Sequence, residues 1–233
     1  MTAAKDFIVW MDCEMTGLDL EHDELVEVAA LVTDSELNVV GEGIDVIIRP
    51  SAAALEQMGD FVRTMHQSSG LLAELDGGLT LAEAEERVLD HIREHVNEPR
   101  RAPLAGNSIG TDRAFLAVGM PTLEAYVHYR NVDVSSVKEL ARRWFPRSYY
   151  AAPAKNGNHR ALADVQESIE ELRYYREAVF VPAPGLDSSA ARRVAAKHQG
   201  ALTGVTSPTA PAKTSDTAPD TGPDTPADAP AEG

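Results

Sequence analysis

The sequence predicts an α/β fold in which a mixed sheet is flanked by helices. Three strand-like segments follow one another near the start of the chain, and short strands then alternate with helical patterns as far as residue 178. Consecutive strands favour antiparallel pairing, whereas strands separated by helices favour parallel pairing. At 233 residues and 43% hydrophobic content, the chain can build a sizeable core as one large domain or two small ones.

The first predicted strand begins with an apolar run at residues 7–11 and ends near Glu14. Side chains on a strand repeat every second residue, which places Asp12 and Glu14 on one face about 7 Å apart. Two anions this close repel in a partly dry site, and divalent cations relieve that repulsion. Cys13 points to the other face as a small buried hydrophobe, and as the single cysteine it excludes an intrachain disulfide.

The remaining elements follow from periodicity and turn residues. Residues 24–34 and 37–50 read as two more strands of an antiparallel meander, which turns at residues 34–38. Further along the chain, short apolar runs predict strands, and apolar residues spaced three and four positions apart predict helices. The predicted helices span residues 55–66, 81–96, 136–144 and 161–178, with another after Thr111, and the predicted later strands span residues 103–107 and 129–134.

Two more carboxylates and a histidine complete a candidate site. Asp112 lies between a run broken by glycines and the start of a helix, a position that a plain helix-terminal carboxylate also fits. Asp164 projects from the first turns of a helix, and His159 lies in the loop just before it. Four carboxylates match the charge of two Mg²⁺ ions, and the imidazole, with an ordinary pKa of about 6.5, suits proton transfer near neutrality.

Four segments resemble the oligoribonuclease family of the exonuclease superfamily that is named for its Asp-Glu-Asp-Asp ligands and active-site histidine. They are MDCEMTGLD, AGNSIGTDRAFL, YRNVDVSSVKELARRW and HRALADVQESIEELRYYRE. The resemblance implies a ribonuclease-H-like core, two Mg²⁺ or Mn²⁺ ions, and 3′-to-5′ hydrolysis of short RNA oligonucleotides, down to dinucleotides, to 5′-mononucleotides. It implies Asp12, Glu14, Asp112 and Asp164 as metal ligands and His159 as the catalytic general base.

The resemblance also implies substrate contacts and a homodimer. The terminal phosphate is expected to meet Ser108, Arg130 and Ser135, and the partner subunit is expected to supply Tyr129 as a further catalytic-site residue. The nucleobases are expected to meet Leu18 and Phe61, and His66 is expected on the substrate side. A guanidinium fork suits a phosphate because it forms two parallel hydrogen bonds.

Several of these residues have structural alternatives. Ser136 and Glu139 match a capping box, so the serine pair at 135–136 also fits a helix start. Phe61 falls on an apolar stripe with Leu55, Met58 and Val62, which fits a core position. A histidine such as His66 at a helix end is more often a surface or capping group.

Charge and composition limit the partners. The net charge of −16 has the wrong sign for binding a long nucleic acid duplex, but it agrees with a substrate of few phosphates. From residue 201 the chain has six prolines, five acids, one lysine and no aromatic residue, a composition that predicts disorder. We therefore expect an exonuclease domain at 1–180, an extension with a short helix at 181–200 and a disordered tail at 201–233.

Three rival functions remain open at this point. His91, Glu94 and His95 match the HxxEH pattern of zinc peptidases, although no third zinc ligand is evident. A proofreading or tRNA-trimming exonuclease shares the metal ligands but acts on longer substrates. A binding protein with a decayed nuclease fold is disfavoured because all five catalytic positions are present. No apolar run is long enough to span a membrane, so the sequence predicts no membrane partner and a cytoplasmic enzyme.

Overall fold

The computed structural model describes residues 6–154 and 159–199, and the chain divides into two compact units, Met1–Ala183 and Pro184–Gly233. The described part of the first unit holds a five-stranded sheet with the order β3-β2-β1-β4-β5. The strands are β1 (Phe7–Met15), β2 (Leu25–Asp34), β3 (Val39–Ile47), β4 (Pro103–Gly106) and β5 (His128–Asp133). β2 pairs antiparallel with β1 and β3, whereas β4 pairs parallel with β1 and β5. The predicted mixed sheet and meander are confirmed.

Helices of the first unit cover both faces of the sheet. The helices of this unit are α1 (Ala52–Gln57), α2 (Asp60–Ser69), α3 (Leu71–Glu74), α4 (Leu81–His95), α5 (Ile109–Gly119), α6 (Pro121–Tyr126), α7 (Val134–Trp144), α8 (Pro146–Tyr150) and α9 (Ala161–Ala178), and the second unit contains α10 (Ser188–Gln199). Alternation along β1 divides the core: Val9, Met11 and Cys13 pack with α4, α5 and α6, whereas Trp10 packs with α7 and α9.

The predicted helix over residues 55–66 is wrong in one respect, because two helices occupy this region. Ser51 caps α1 by accepting a hydrogen bond from the amide of Ala54, and α1 ends before Met58 and Gly59. Gly59 is extended, which breaks the helical path before α2 begins. The break turns Phe61 outward with 81% of its surface exposed, so the core interpretation of Phe61 is also wrong.

The predicted capping box at Ser136 and Glu139 is wrong as well. α7 begins two residues earlier, and Asp133 is its cap, because its side chain accepts a hydrogen bond from the amide of Ser135. The hydroxyl of Ser136 donates to the same carboxylate at 2.5 Å. An aspartate that ends a strand is as good a cap as a serine, and the sequence pattern did not distinguish them.

The second unit contains α10 within the described residues. Its start is set by Asp187, whose Oδ1 accepts hydrogen bonds from the amides of Ser189 and Ala190 at 2.8 Å each. The predicted tail at 201–233 lies outside the described residues, and its disorder stays a prediction. Within the described ranges, no helix is both long and apolar enough to cross a membrane.

Candidate active site

Four carboxylates meet at the carboxyl end of β1. Asp12 and Glu14 project from β1 itself, Asp112 lies in the first turn of α5, and Asp164 lies in the first turn of α9. Glu14 and Asp112 are buried with 8% and 6% of their surfaces exposed, and Asp12 and Asp164 are half-buried. The parallel pairing of β4 with β1 brings α5 to this end of the sheet, and the packing of α9 against β1 and β2 brings Asp164 there. Side chains separated by 152 positions therefore meet in one place.

Glu14, His159 and Asp164 form the tightest part of the site. One ligand atom from each lies within 4.8 Å of the other two. Over residues 6–154 and 159–199, this is the one group of three or more His, Cys, Asp or Glu side chains with such spacing. His159 is exposed and adopts a left-handed backbone conformation with φ 49°, which places its ring beside the start of α9.

A hydrogen bond ties α5 to β1. The amide of Cys13 donates to Asp112 Oδ1 at 2.9 Å, across 99 positions of sequence. The end of β4, which leads into α5, passes very close to β1: a Cβ on Gly106 would lie 2.7 Å from the carbonyl oxygen of Met11. A residue other than glycine at this position would therefore push the end of β4 away from β1. Cys13 is buried, and burial raises its pKa well above the ordinary value, which agrees with an inert thiol.

The carboxylates of Asp12, Glu14 and Asp112 have raised pKa values, which shows that their charged forms are unfavourable at this site without cations. Burial, followed by the charges of Asp112, Asp164 and Glu14, raises the pKa of Asp12 to about 8. Burial, followed by the charge of Glu27, raises the pKa of Glu14 to about 8. Burial raises the pKa of Asp112 to about 6, although the hydrogen bond from Cys13 opposes the rise.

These properties fit divalent cations that prefer hard oxygen ligands. The donors are carboxylate oxygens with one nearby imidazole, a set that suits Mg²⁺ or Mn²⁺ better than a soft metal. Cations would also remove the repulsion that raises the carboxylate pKa values. The described residues thus contain an acidic site able to hold a metal ion.

Two charged residues that the sequence reasoning missed hold the His159 segment in place. Glu27 on β2 is fully buried and accepts hydrogen bonds from Arg160 Nε at 2.8 Å and from the amide of Ala161 at 3.1 Å. Arg160 also donates to Glu74 at 2.9 Å. A sequence signal was present, because Glu27 is the one polar residue among the apolar residues 25–32 of β2 and Arg160 directly follows His159.

The expected phosphate-binding residues lie on or just after β4 and β5: Ser108 follows β4, Ser135 lies in the first turn of α7, and Arg130 lies within β5. Ser108 and Ser135 are in direct contact, with 3.1 Å between their hydroxyl oxygens. Arg130 is exposed on β5, and its guanidinium carbon lies 5.5 Å from the ring centre of Tyr129. Tyr129 itself has 73% of its surface exposed. Asn107, which the sequence reasoning also missed, accepts a hydrogen bond from the Ser135 hydroxyl through its Oδ1.

The expected base-contacting residues differ in exposure. Leu18 is 76% exposed in the loop after β1, where Asp23 accepts hydrogen bonds from Thr16 and from the amide of Asp19. Phe61 is exposed on α2. His66 is fully buried, contrary to the surface alternative, because its Nε2 lies 2.8 Å from the Met15 carbonyl oxygen. Its Nδ1 lies 3.9 Å from Glu14 Oε2, so His66 lies beside a proposed metal ligand.

The HxxEH segment on α4 does not build a zinc site among the described residues. The rings of His91 and His95 meet edge to face with 5.6 Å between their centres, and no metal-like cluster includes them. Burial lowers the pKa of His91, which is consistent with a neutral ring packed on the helix. The zinc peptidase interpretation is therefore not supported by this geometry.

Comparison with solved structures gives the class of fold. The chain matches E. coli exonuclease I bound to a dT13 oligonucleotide with a TM-score of 0.58 and 16% identity, covering 75% of this chain and 42% of that one. It matches exonuclease I from Methylocaldum szegediense with a TM-score of 0.52 and 22% identity, covering 74% and 41%. The chain thus spans about two fifths of the length of these structures, and the likeness shows a ribonuclease-H-like exonuclease fold.

Comparison of sequences defines the family. The model of the exonuclease family RNase_T matches residues 9–172. Oligoribonuclease from Streptomyces coelicolor is 69% identical over 193 residues, which cover 83% of this chain and 96% of the relative. Oligoribonuclease from Cutibacterium acnes is 66% identical over 197 residues, which cover 84% and 98%. The chain belongs to the oligoribonuclease family and is an exoribonuclease.

Proposed function

We propose that this exoribonuclease hydrolyses very short RNA, especially dinucleotides, from the 3′ end to 5′-mononucleotides, with two divalent cations. The observation that carries the proposal is the meeting of Asp12, Glu14, Asp112 and Asp164 beside His159. Bound Mg²⁺ or Mn²⁺ would supply charge stabilisation at the scissile phosphate and at the departing 3′-oxygen. In this proposal the four carboxylates hold the cations.

His159 is the proposed general base. It is exposed at the mouth of the site and lies within reach of Glu14 and Asp164, so it can take a proton from water that attacks the phosphorus atom. The residues after it are fixed by Glu27, which leaves the imidazole on an anchored segment. A base held in this way loses little entropy when the substrate arrives.

The distribution of basic residues supports a short substrate. Arg142 and Arg143 on α7 share one carboxylate, that of Glu139, so together they offer a net charge of only +1 to a long phosphate backbone. Lys138 lies 3.1 Å from Glu171. Binding of long nucleic acid requires many unpaired Lys and Arg along a track. Arg130, Ser108 and Ser135 would suit a single terminal phosphate instead.

Exposed apolar side chains support a homodimer. They lie on β5, on α7 and α8 and between these two helices, and include Tyr129, Leu140, Trp144, Phe145 and Tyr150, with exposures from 43% to 81%. Four of them fall within residues 140–150, and such a concentration of exposed apolar side chains marks an interaction surface. We propose that a second copy covers it and that Tyr129 reaches the partner's site. Light scattering of the parent and of Trp144→Glu tests this, and a monomeric parent would contradict it.

Substrate length is the decisive test of the proposed function. Initial rates with Mn²⁺ or Mg²⁺ are measured on RNAs of two, five and twenty nucleotides, with Asp12→Ala as the inactive control. We expect the dinucleotide to give the highest kcat/KM and mononucleotides as products. A preference that increases with length would favour the proofreading or tRNA-trimming alternative.

A further inference from the structure

The edge strand β5 carries a two-residue bulge. In its register with β4, one step along β4 spans three steps along β5, from His128 to Asn131. Among the described residues, the two between them, Tyr129 and Arg130, have no counterpart on β4. Bulges turn side chains away from a sheet and are common next to active sites. This bulge accounts for the 73% exposure of Tyr129 and for the exposure of Arg130.

The guanidinium of Arg113 joins the two ends of the bulge. Arg113 directly follows Asp112 on α5. Its Nη1 donates to the His128 carbonyl oxygen at 2.9 Å and to Asn131 Oδ1 at 2.7 Å. These two acceptors belong to the residues that flank the bulged pair on either side. A single nitrogen atom therefore holds both ends of the bulge.

Glu124 on α6 holds the other side of the guanidinium. Its Oε1 accepts hydrogen bonds from Arg113 Nε at 3.0 Å and from Arg113 Nη2 at 2.7 Å. The Arg113 side chain is only 15% exposed, and these contacts use all three of its nitrogens. A lysine could not replace them, because its ammonium is a compact charge without the planar fork. A largely buried ion pair adds little net stability but can fix one arrangement of the chain.

His128 connects Arg113 to the bulged side chains. Its Nδ1 accepts a hydrogen bond from the Arg130 amide at 3.2 Å, and its ring centre lies 4.4 Å from that of Tyr129. The guanidinium carbon of Arg130 lies 5.5 Å from the centre of the same tyrosine ring. The directions of both bulged side chains thus depend on the backbone at His128, which Arg113 holds by its carbonyl oxygen.

We propose that Arg113 is a positioning residue that fixes the direction in which Tyr129 and Arg130 leave the sheet. This inference rests on the proposed function, because the roles proposed for these two side chains do. Arg113 acts through the bulge and does not itself touch the substrate. Because Asp112 is its neighbour on α5, one helix holds both a proposed metal ligand and the bulge.

Two variants at Asn131 test one of these bonds at little risk to the fold. Asn131 is exposed, so neither variant should change Tm much. Asn131→Asp keeps an acceptor for Arg113, whereas Asn131→Ala removes it. On a dinucleotide, we expect Asn131→Ala to lower kcat/KM about fivefold or more and Asn131→Asp to stay within about twofold of the parent. Parental kcat/KM in Asn131→Ala, or equal losses in the two variants, would overturn the proposal.

Arg113→Lys tests all the contacts together. The lysine keeps the charge beside Glu124 but cannot reach both ends of the bulge at once. We expect kcat/KM to fall about tenfold or more, and amide hydrogen exchange at residues 128–131 to become faster by a similar factor. Exchange in β1 is the internal reference and should change less. A merely structural role would accelerate both segments alike, and that result, or parental exchange at the bulge, would overturn the proposal.

The exchange measurement separates this inference from the proposed function. It needs no substrate, so it tests the contacts of Arg113 with the bulge whatever the enzyme cleaves. A parent enzyme that cleaves no dinucleotide overturns the proposed function itself. Faster exchange at the bulge with parental kcat/KM in Arg113→Lys overturns the positioning role and leaves the proposed function intact.

Discussion

Glu27 lies directly opposite Glu14 in the antiparallel register of β1 and β2, and Glu27 forms an ion pair with Arg160. Arg160 thus neutralises Glu27, which is the one of these two acids that is not a proposed metal ligand. Because Arg160 directly follows His159, the same ion pair fixes the segment that carries the proposed base. One ion pair therefore links the charge balance of the site to the position of His159.

Glu27→Gln should lower both stability and turnover. Arg160 keeps Glu74 as a partner, so the substitution removes a charge-assisted hydrogen bond worth about 1.5–3 kcal/mol, and each 1 kcal/mol lowers Tm by about 2–4 °C in a domain of this size. We expect a Tm decrease of at least about 3 °C and a reduced kcat, since Arg160 loses its buried partner. The matched control is Glu74→Gln, which removes a 44% exposed partner of Arg160 and should change Tm little. Equal effects in the two variants would contradict the anchoring role.

Asp112 is expected to have two separable functions. Asp112→Asn and Asp112→Ala should both abolish hydrolysis, because each removes a proposed ligand. Only the asparagine can still accept the hydrogen bond from the Cys13 amide. Asp112→Ala should therefore be less stable than Asp112→Asn by about 1–3 kcal/mol, the cost of an unsatisfied buried amide. Thermal or urea unfolding in chelator measures the difference, and identical unfolding curves would show that the bond is unimportant.

The raised carboxylate pKa values predict a pH-dependent stability of the metal-free protein. A carboxylate with a higher pKa in the folded state holds its proton more tightly there, which stabilises the fold below about pH 4. For Asp12, with its pKa raised to about 8, this contribution is lost as pH rises from about 4 to 8. In excess chelator, Tm should fall between pH 5.5 and 8, and Mn²⁺ should restore more stability at pH 8 than at pH 5.5.

Asp12→Asn is the control for this pH dependence. The amide has no charge to desolvate, so in chelator the variant should lose less Tm than the parent between pH 5.5 and 8. It should also gain less from Mn²⁺, because one proposed ligand is missing. Parallel Tm curves for variant and parent would mean that Asp12 does not contribute to the effect.

Much of the fold was predictable because strands and helices depend on local periodicity. The meander, α4 and α9 all follow from patterns within one segment. The meeting of Asp12 with Asp164 was expected from the chemistry of the residues and from family resemblance, because it depends on the packing of α9 against β1, which no local pattern encodes. The Glu27–Arg160 pair and the Asn107 contacts were missed because a side-chain partner more than 60 residues away leaves no periodic signal. The α1–α2 break was missed because the apolar stripe continued across Gly59.

The tail should be dispensable for catalysis. Residues 201–233 hold none of the proposed site residues, and their composition predicts a segment that does not pack. A chain that ends at Gly200 should keep the kcat/KM of the full chain on a dinucleotide and the same Tm. Loss of activity in the shortened chain would assign the tail a part in the reaction.

Phe61 is expected to stack on a nucleobase of the substrate. Its ring is 81% exposed on α2, so Phe61→Ala should leave Tm nearly unchanged, as surface substitutions usually do. Base stacking contributes about 1–3 kcal/mol, so the same substitution should weaken dinucleotide binding by at least about fivefold. Binding is measured in the inactive Asp112→Asn background to prevent turnover. Phe61→Trp is the matched control, since its larger ring should bind the dinucleotide at least as tightly as the parent. If Phe61→Ala binds as well as the parent, the exposed ring does not contact the base.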